Sequence, residues 1–202
     1  MFELVQGEGG IHVLSEDFVR AVETAAKEND LLMIADEVQT GNGRTGTLYA
    51  YMQYGIRPDI VTTAKGIGGG LPIGVTMLGD KMEEVFTPGT HGSTFGGNPV
   101  CCAGAYNILS RIDETLLAQV REKSAYIRSE LESADGVVSV SGLGLMLGIE
   151  TVRPAADVIR DAMARGVLVL SAKTKVRLLP PLTITMAELQ EAIGILKEVI
   201  AK

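Results

Sequence analysis

Two short apolar runs, each passing directly into a charged residue and then into a glycine-rich turn, constrain this chain more than any other feature. The first is LLMIA (31–35), which runs into Asp36 and Glu37 and then the loop TGNGRTG (40–46). The second is DIVTTAKG (59–66), which carries Lys65 and continues into GIGGGLP (66–72). A strand without polar alternation is buried on both faces, and that is the habit of parallel sheets covered by helices. The pattern therefore predicts an α/β fold with a mostly parallel sheet. In such sheets ligands collect at the carboxyl ends of the strands, where Asp36 and Lys65 are both expected.

The rest of the chain fits around these strands. Residues 1–5 read as the end of a strand, followed by the turn QGEGG (6–10). Ser15 is placed to cap a helix reaching about Asn29, with Phe18, Val22 and Ala25 on one face. A helical segment is expected near 47–55 and a strand at 73–78. The loop HGSTFGGNP (91–99) precedes two helices, near 99–111 and 114–132, the second with Leu116, Val120, Ile127 and Leu131 at helical spacing. Strands at 137–141 and 145–150, a helix over 154–165 closing on Gly166, and strands at 167–171 and 176–179 follow. Thr185 and Glu188 form a capping box for a last helix. We read residues 1–130 as part of a large domain with its linking helix, and 131–202 as a small α/β domain. The chain opens in what reads as the middle of a sheet, so it is expected to be incomplete as an enzyme.

Composition narrows the function classes. Hydrophobic residues make up 46% of the 202, and the net charge is −7. An acidic surface argues against nucleic acid or anionic membrane as partners. No apolar run reaches the roughly 18 residues of a membrane span. The opening MFELVQGEGG has neither the basic nor the apolar region of a signal peptide. Cys101 and Cys102 are adjacent and form no disulfide framework, and His12 and His91 stand far apart without metal-ligand spacing. A cytoplasmic protein without a metal is expected.

Lys65 lies between a buried strand and a glycine loop, where desolvation would favour the neutral amine, a nucleophile toward carbonyls. By position alone it also reads as an ordinary lysine that reaches solvent. Asp36 at its strand end could cap or accept from a loop, or pair with a protonated heteroaromatic nitrogen of an electron-sink cofactor. The run GIGGG does not have the spacing of a dinucleotide fingerprint. His91, Ser93 and Thr94 offer donors that could meet a phosphate, although such a pair of hydroxyls is commonly just a turn.

Taken together, VQGEGGI (5–11), ADEVQTGNGRTG (35–46), PDIVTTAKGIGGGLPIG (58–74) and HGSTFGGNP (91–99) resemble, in order and spacing, the class III pyridoxal-phosphate-dependent aminotransferases of fold type I. KGIGGGLPIG and HGSTFGGNP resemble most the acetylornithine subgroup. The resemblance implies that Lys65 carries pyridoxal phosphate covalently and moves the proton between the substrate and the cofactor. It implies that Asp36 holds the pyridine nitrogen protonated, and it sets Glu37, Val38 and Gln39 in the cofactor-binding segment, with Val38 against the ring and Gln39 at its phenolic oxygen. Thr94 would bind the phosphate, typically of a partner subunit in a homodimer with shared active sites, and Ser93 would lie near the substrate. Glu8 and Arg177 would form a pair that opens so that the arginine receives a carboxylate of glutamate or 2-oxoglutarate.

The implied reaction transfers the δ-amino group of N2-acetylornithine to 2-oxoglutarate, in arginine biosynthesis. Alternatives are another ω-aminotransferase acting on ornithine, succinyl-diaminopimelate or 4-aminobutyrate, a phosphate-binding module, or a non-catalytic fragment retaining only dimerisation. The family's N-terminal half, with its phosphate loop, ring-stacking aromatic residue and α-carboxylate arginine, has no counterpart here, so the chain alone is expected to be a poor catalyst or inactive.

Overall fold

The computed structural model describes residues 1–202. In chain order the elements are β1 (Val5–Gln6), β2 (His12–Val13), α1 (Glu16–Glu28), β3 (Ile34–Asp36), β4 (Ile60–Thr63), β5 (Val75–Leu78), α2 (Pro99–Leu109), α3 (Glu114–Leu131), β6 (Val137–Leu143), β7 (Met146–Thr151), α4 (Ala155–Ala164), β8 (Leu170–Ala172), β9 (Lys175–Leu178) and α5 (Met186–Ile200). They form two compact units. One comprises residues 1–4, 14–43 and 47–113; the other comprises residues 5–13, 44–46 and 114–202.

The first unit is built on a three-stranded sheet of order β3-β4-β5. β3 and β4 are parallel, with Ile34 beside Ile60, Ala35 beside Val61 and Asp36 beside Thr62. β5 runs antiparallel to β4, so the sheet within this chain is mixed rather than mostly parallel; Phe2 adds a single parallel bridge to Ala35. The Asp59 carboxylate accepts the Met33 N–H at 2.8 Å and helps fix the register of β3 on β4. Leu4, Val19, Met33, Ala35, Ala50, Tyr54, Ile56 and Val61 form the core. Ser15 caps α1 through the Phe18 N–H, as expected. The helix turns Val19 inward, however, and leaves Phe18 half-exposed. Leu31 and Leu32 are also exposed, so only the last part of the LLMIA run is sheet. The segment near 47–55 is a 3-10 turn over Ala50–Tyr54.

The second unit carries an antiparallel four-stranded sheet of order β6-β7-β9-β8. α3, α4 and α5 supply Val120, Ile127, Leu131, Val158, Ala162, Leu189, Ile193, Leu196 and Val199 to its core. The capping box holds the start of α5: the Thr185 hydroxyl accepts the Glu188 N–H and the Glu188 carboxylate accepts the Thr185 N–H. α3 lies with this unit from Glu114 onward, which differs from the boundary at 130 expected from sequence. The reason is that its apolar stripe is buried in this unit's core. The antiparallel hairpin β1–β2 also joins this unit, through a small core of Val5, Ile11, Met146 and Ala172. Gly148 makes this packing possible, because a Cβ there would lie 2.9 Å from the Cβ of Ile11. Ile11 itself has φ 56°, a costly conformation for a β-branched residue, which buried contacts on every side sustain.

No helix is long and apolar enough to cross a membrane.

Candidate functional site

In the first unit the parallel pairing brings Asp36 and the exit toward Lys65 to the same end of the sheet, because Asp36 lies beside Thr62, three residues before Lys65. The Asp36 Oδ1 accepts the Val38 N–H at 3.0 Å and the Thr62 hydroxyl at 3.3 Å. Both bonds fall on one carboxylate oxygen, so neither occupies Oδ2. Thr62 is therefore a support for Asp36 that the sequence pattern does not single out. Val38 and Gln39 follow in a partly buried turn.

Glu37 departs from its expected place among the cofactor-contacting residues. It is fully buried. Its carboxylate accepts the Thr40 hydroxyl and, at 2.8 Å, the Tyr51 N–H. Burial raises its pKa above the ordinary carboxylate value, against the opposing pull of these hydrogen bonds. The side chain thus ties the 37–40 turn to the 3-10 turn at Ala50–Tyr54. Gly41 lets that turn close, since a Cβ would lie 2.8 Å from the Glu37 carbonyl and 2.9 Å from the Tyr49 ring.

Lys65 sits in the left-handed region at φ 52°, at the start of a short 3-10 turn reaching Gly68. A non-glycine residue held there costs about 1 kcal/mol or more. Its side chain is exposed, so the desolvation expected from sequence is not supplied by this chain. A residue missed in the sequence reading holds the strand end before it. Asn42, buried and also left-handed at φ 57°, donates from Nδ2 to the Thr63 Oγ1 at 3.0 Å and the Ala64 carbonyl at 3.2 Å. The only hint in the sequence is an asparagine between two glycines in TGNGRTG, a composition suited to left-handed turns.

Ser93 and Thr94 lie in an exposed loop of the same unit. The Ser93 Oγ accepts the Gly96 N–H at 2.9 Å, and Asn98 caps α2 through the Val100 and Cys101 N–H groups.

In the second unit the structure brings Glu8 and Arg177 together. The Arg177 Nη1 donates to the Glu8 Oε1 at 2.7 Å. Arg177 stands on β9 between Gly148 of β7 and Leu170 of β8. Its Nε is buried and makes no hydrogen bond. Nearby in sequence to the Lys65 loop partner, Arg44 donates through Nη1 to the carbonyls of Leu145 at 3.1 Å and Pro180 at 2.6 Å within this unit. Burial lowers its pKa to about 10.

These features define a class. The aminotransferase class-III family matches residues 1–200, and the chain belongs to it. The acetylornithine aminotransferase of Haemophilus ducreyi is 47% identical over 204 residues, covering 100% of this chain and 52% of that protein. Among solved structures, the acetylornithine aminotransferase of Elizabethkingia anophelis matches with a TM-score of 0.90 at 34% identity, over 98% of this chain and 52% of that one. The ornithine aminotransferase of Toxoplasma gondii, whose structure shows partial occupancy of PLP at its active site, matches with a TM-score of 0.91 at 32% identity, over 98% of this chain and 49% of that one. The chain thus spans about half the length of the relatives it matches.

Proposed function

We propose that this chain carries the lysine-bearing part of an aminotransferase site that uses pyridoxal 5'-phosphate to move the δ-amino group of N2-acetylornithine to 2-oxoglutarate. The observation that carries the reading is the placement of Asp36 and Lys65 at the same end of two parallel, adjacent strands. The donor set also suits the cofactor: a primary amine exposed beyond one strand, and a carboxylate on the next strand with its protein bonds on Oδ1. When bound, the cofactor supplies an electron sink for the bond broken at the substrate carbon.

Each residue then has a task. The Lys65 Nζ attaches the cofactor and afterwards carries the proton. Asp36 keeps a ring nitrogen protonated, and Thr62 and the Val38 N–H hold its carboxylate in place. Val38 and Gln39 line the turn that follows, Ser93 faces the substrate, and Thr94 offers a hydroxyl to the phosphate in a homodimer with shared sites. Arg177 binds a substrate carboxylate when Glu8 releases it. Glu37 serves from inside, by fixing the turn that presents its neighbours.

The preference for N2-acetylornithine rests on the relatives at 43–47% identity. Ornithine is the second reading, favoured by the ornithine aminotransferase structures at 32–35% identity. Such a biosynthetic enzyme works in the cytoplasm, without nucleic acid or membrane as partner.

The test is covalent capture. The chain is incubated with pyridoxal phosphate, reduced with borohydride, and mapped by mass spectrometry. A pyridoxyl label concentrated on Lys65 and lost in Lys65→Ala supports the reading, whereas a label spread evenly over the lysines sinks it. Glutamate formation from 2-oxoglutarate with N2-acetylornithine against ornithine, measured with and without a supplied N-terminal half of the family, decides the donor.

A further inference from the structure

The Lys65 turn is held by a side chain that nothing in the proposed chemistry uses. Asn42 is 6% exposed. Its amide nitrogen spans the last two residues before Lys65, donating to the Thr63 hydroxyl and to the Ala64 carbonyl. Its own carbonyl Oδ1 is buried and has no hydrogen-bond partner. An amide placed for general stability would satisfy both ends, because an orphaned buried acceptor is costly. Here the donors are used and the acceptor is sacrificed. Asn42 also adopts a left-handed backbone that glycine would adopt more readily. Two unfavourable features thus coincide at one residue, whose amide bonds the peptide that precedes the lysine.

That contact has a direct consequence for Lys65. The Ala64 carbonyl and the Lys65 N–H belong to one rigid peptide plane. Fixing the carbonyl oxygen fixes the plane, and with it the direction from which the Lys65 Cα–Cβ bond leaves the chain at its φ of 52°. Asn42 lies close to the other flank of the turn as well, since its Cβ would be 3.6 Å from a Cβ built on Gly66. We propose that Asn42 is a positioning residue for Lys65: its side-chain amide clamps the Ala64–Lys65 peptide and so aims the amine that attaches the cofactor. This rests on the assignment of Lys65 above.

The experiment compares Asn42→Gly with the parent chain. Glycine accepts the left-handed backbone and removes the orphaned carbonyl, which offsets part of the cost of leaving the Thr63 hydroxyl and the Ala64 carbonyl without their donor, and labelling is read well below the variant's melting temperature. Lys65 labelling by pyridoxal phosphate and borohydride should slow about tenfold or more, the scale on which misplaced reacting groups act. The pH midpoint of the visible band of the lysine-bound chromophore should also shift, a change that lost stability alone would not produce. Thr63→Val, which removes one anchor of the clamp, should slow labelling less, and Thr63→Ser should restore it; this pair decides the matter if Asn42→Gly does not fold. Parental labelling rate and pH midpoint in Asn42→Gly, or in a folded Thr63→Val, would overturn the positioning role and leave the assignment of Lys65 intact. A parent chain that shows no preference for Lys65 would instead overturn that assignment, and the positioning role with it.

Discussion

Arg177 and Glu8, 169 residues apart in sequence, meet at 2.7 Å with opposite exposures: the arginine side chain is 10% exposed and the glutamate side chain 75%. The pair is lopsided for that reason. The glutamate can be solvated wherever it goes, whereas the arginine needs some acceptor in place. This asymmetry is what the proposed exchange of Glu8 for a substrate carboxylate at Arg177 would require.

The same asymmetry predicts unequal stability effects. Glu8→Ala strands a nearly buried guanidinium and should lower unfolding stability by about 1–2 kcal/mol. Arg177→Met leaves only an exposed carboxylate behind and removes a buried Nε without a partner, so it should cost less. Urea denaturation of the two variants tests the order. If Arg177 binds a substrate carboxylate as proposed, Arg177→Met should raise KM for 2-oxoglutarate more than KM for a monocarboxylate acceptor.

Glu37 predicts a pH dependence of stability. Its folded pKa lies above the ordinary value of 4.5 because burial disfavours the charged form. Between that value and the raised folded value, the native state binds more of this proton than the unfolded chain. Stability from this group is therefore full below about 4.5 and declines as pH rises through the folded pKa. Glu37→Gln abolishes the titration, so its stability relative to the parent should improve as pH rises from about 4.5 through the folded pKa and then level off. A constant difference from acid to neutral pH would contradict this account.

Arg44 is a half-buried cation whose Nη1 serves two carbonyls, those of Leu145 and Pro180. Arg44→Ala should destabilise the second unit by about 2–4 kcal/mol, since two charge-assisted bonds disappear and two partly buried carbonyls lose their donor. Arg44→Lys has a shorter reach and no fork, and should recover less than half of that loss in the same thermal melt.

The hairpin that presents Glu8 depends on Ile11 fitting over Gly148. A Cβ at Gly148 would approach the Cβ of Ile11 to 2.9 Å, so Gly148→Ala should cost about 2 kcal/mol or more. Adding Ile11→Gly removes the clashing atoms and relieves the left-handed strain. The Gly148→Ala penalty measured in that background should fall below about 1 kcal/mol, a coupling that a double-mutant cycle reads directly.

The sequence by itself determined what local chemistry can encode. Ser15, Thr185 with Glu188, and Gly166 mark helix ends because caps act over three or four residues. The apolar runs before Asp36 and Lys65 announce strands, and four motifs in a fixed order specify the family. Only the tertiary structure decided how those pieces are used. It made the sheet mixed, because the partner of β4 on its far side is a strand returning antiparallel. It turned Val19 rather than Phe18 into the core, because the direction of a helix face is set by what it packs on. It drew Glu37 inward to Thr40 and Tyr51, and placed Asn42 under a strand end 21 residues away. These contacts join residues distant in sequence through side chains whose partners no local pattern records. The lysine proposed to carry the cofactor was thus legible from its motif, while the Asn42 side chain bonded to the strand end before it became visible only once the chain had folded around it.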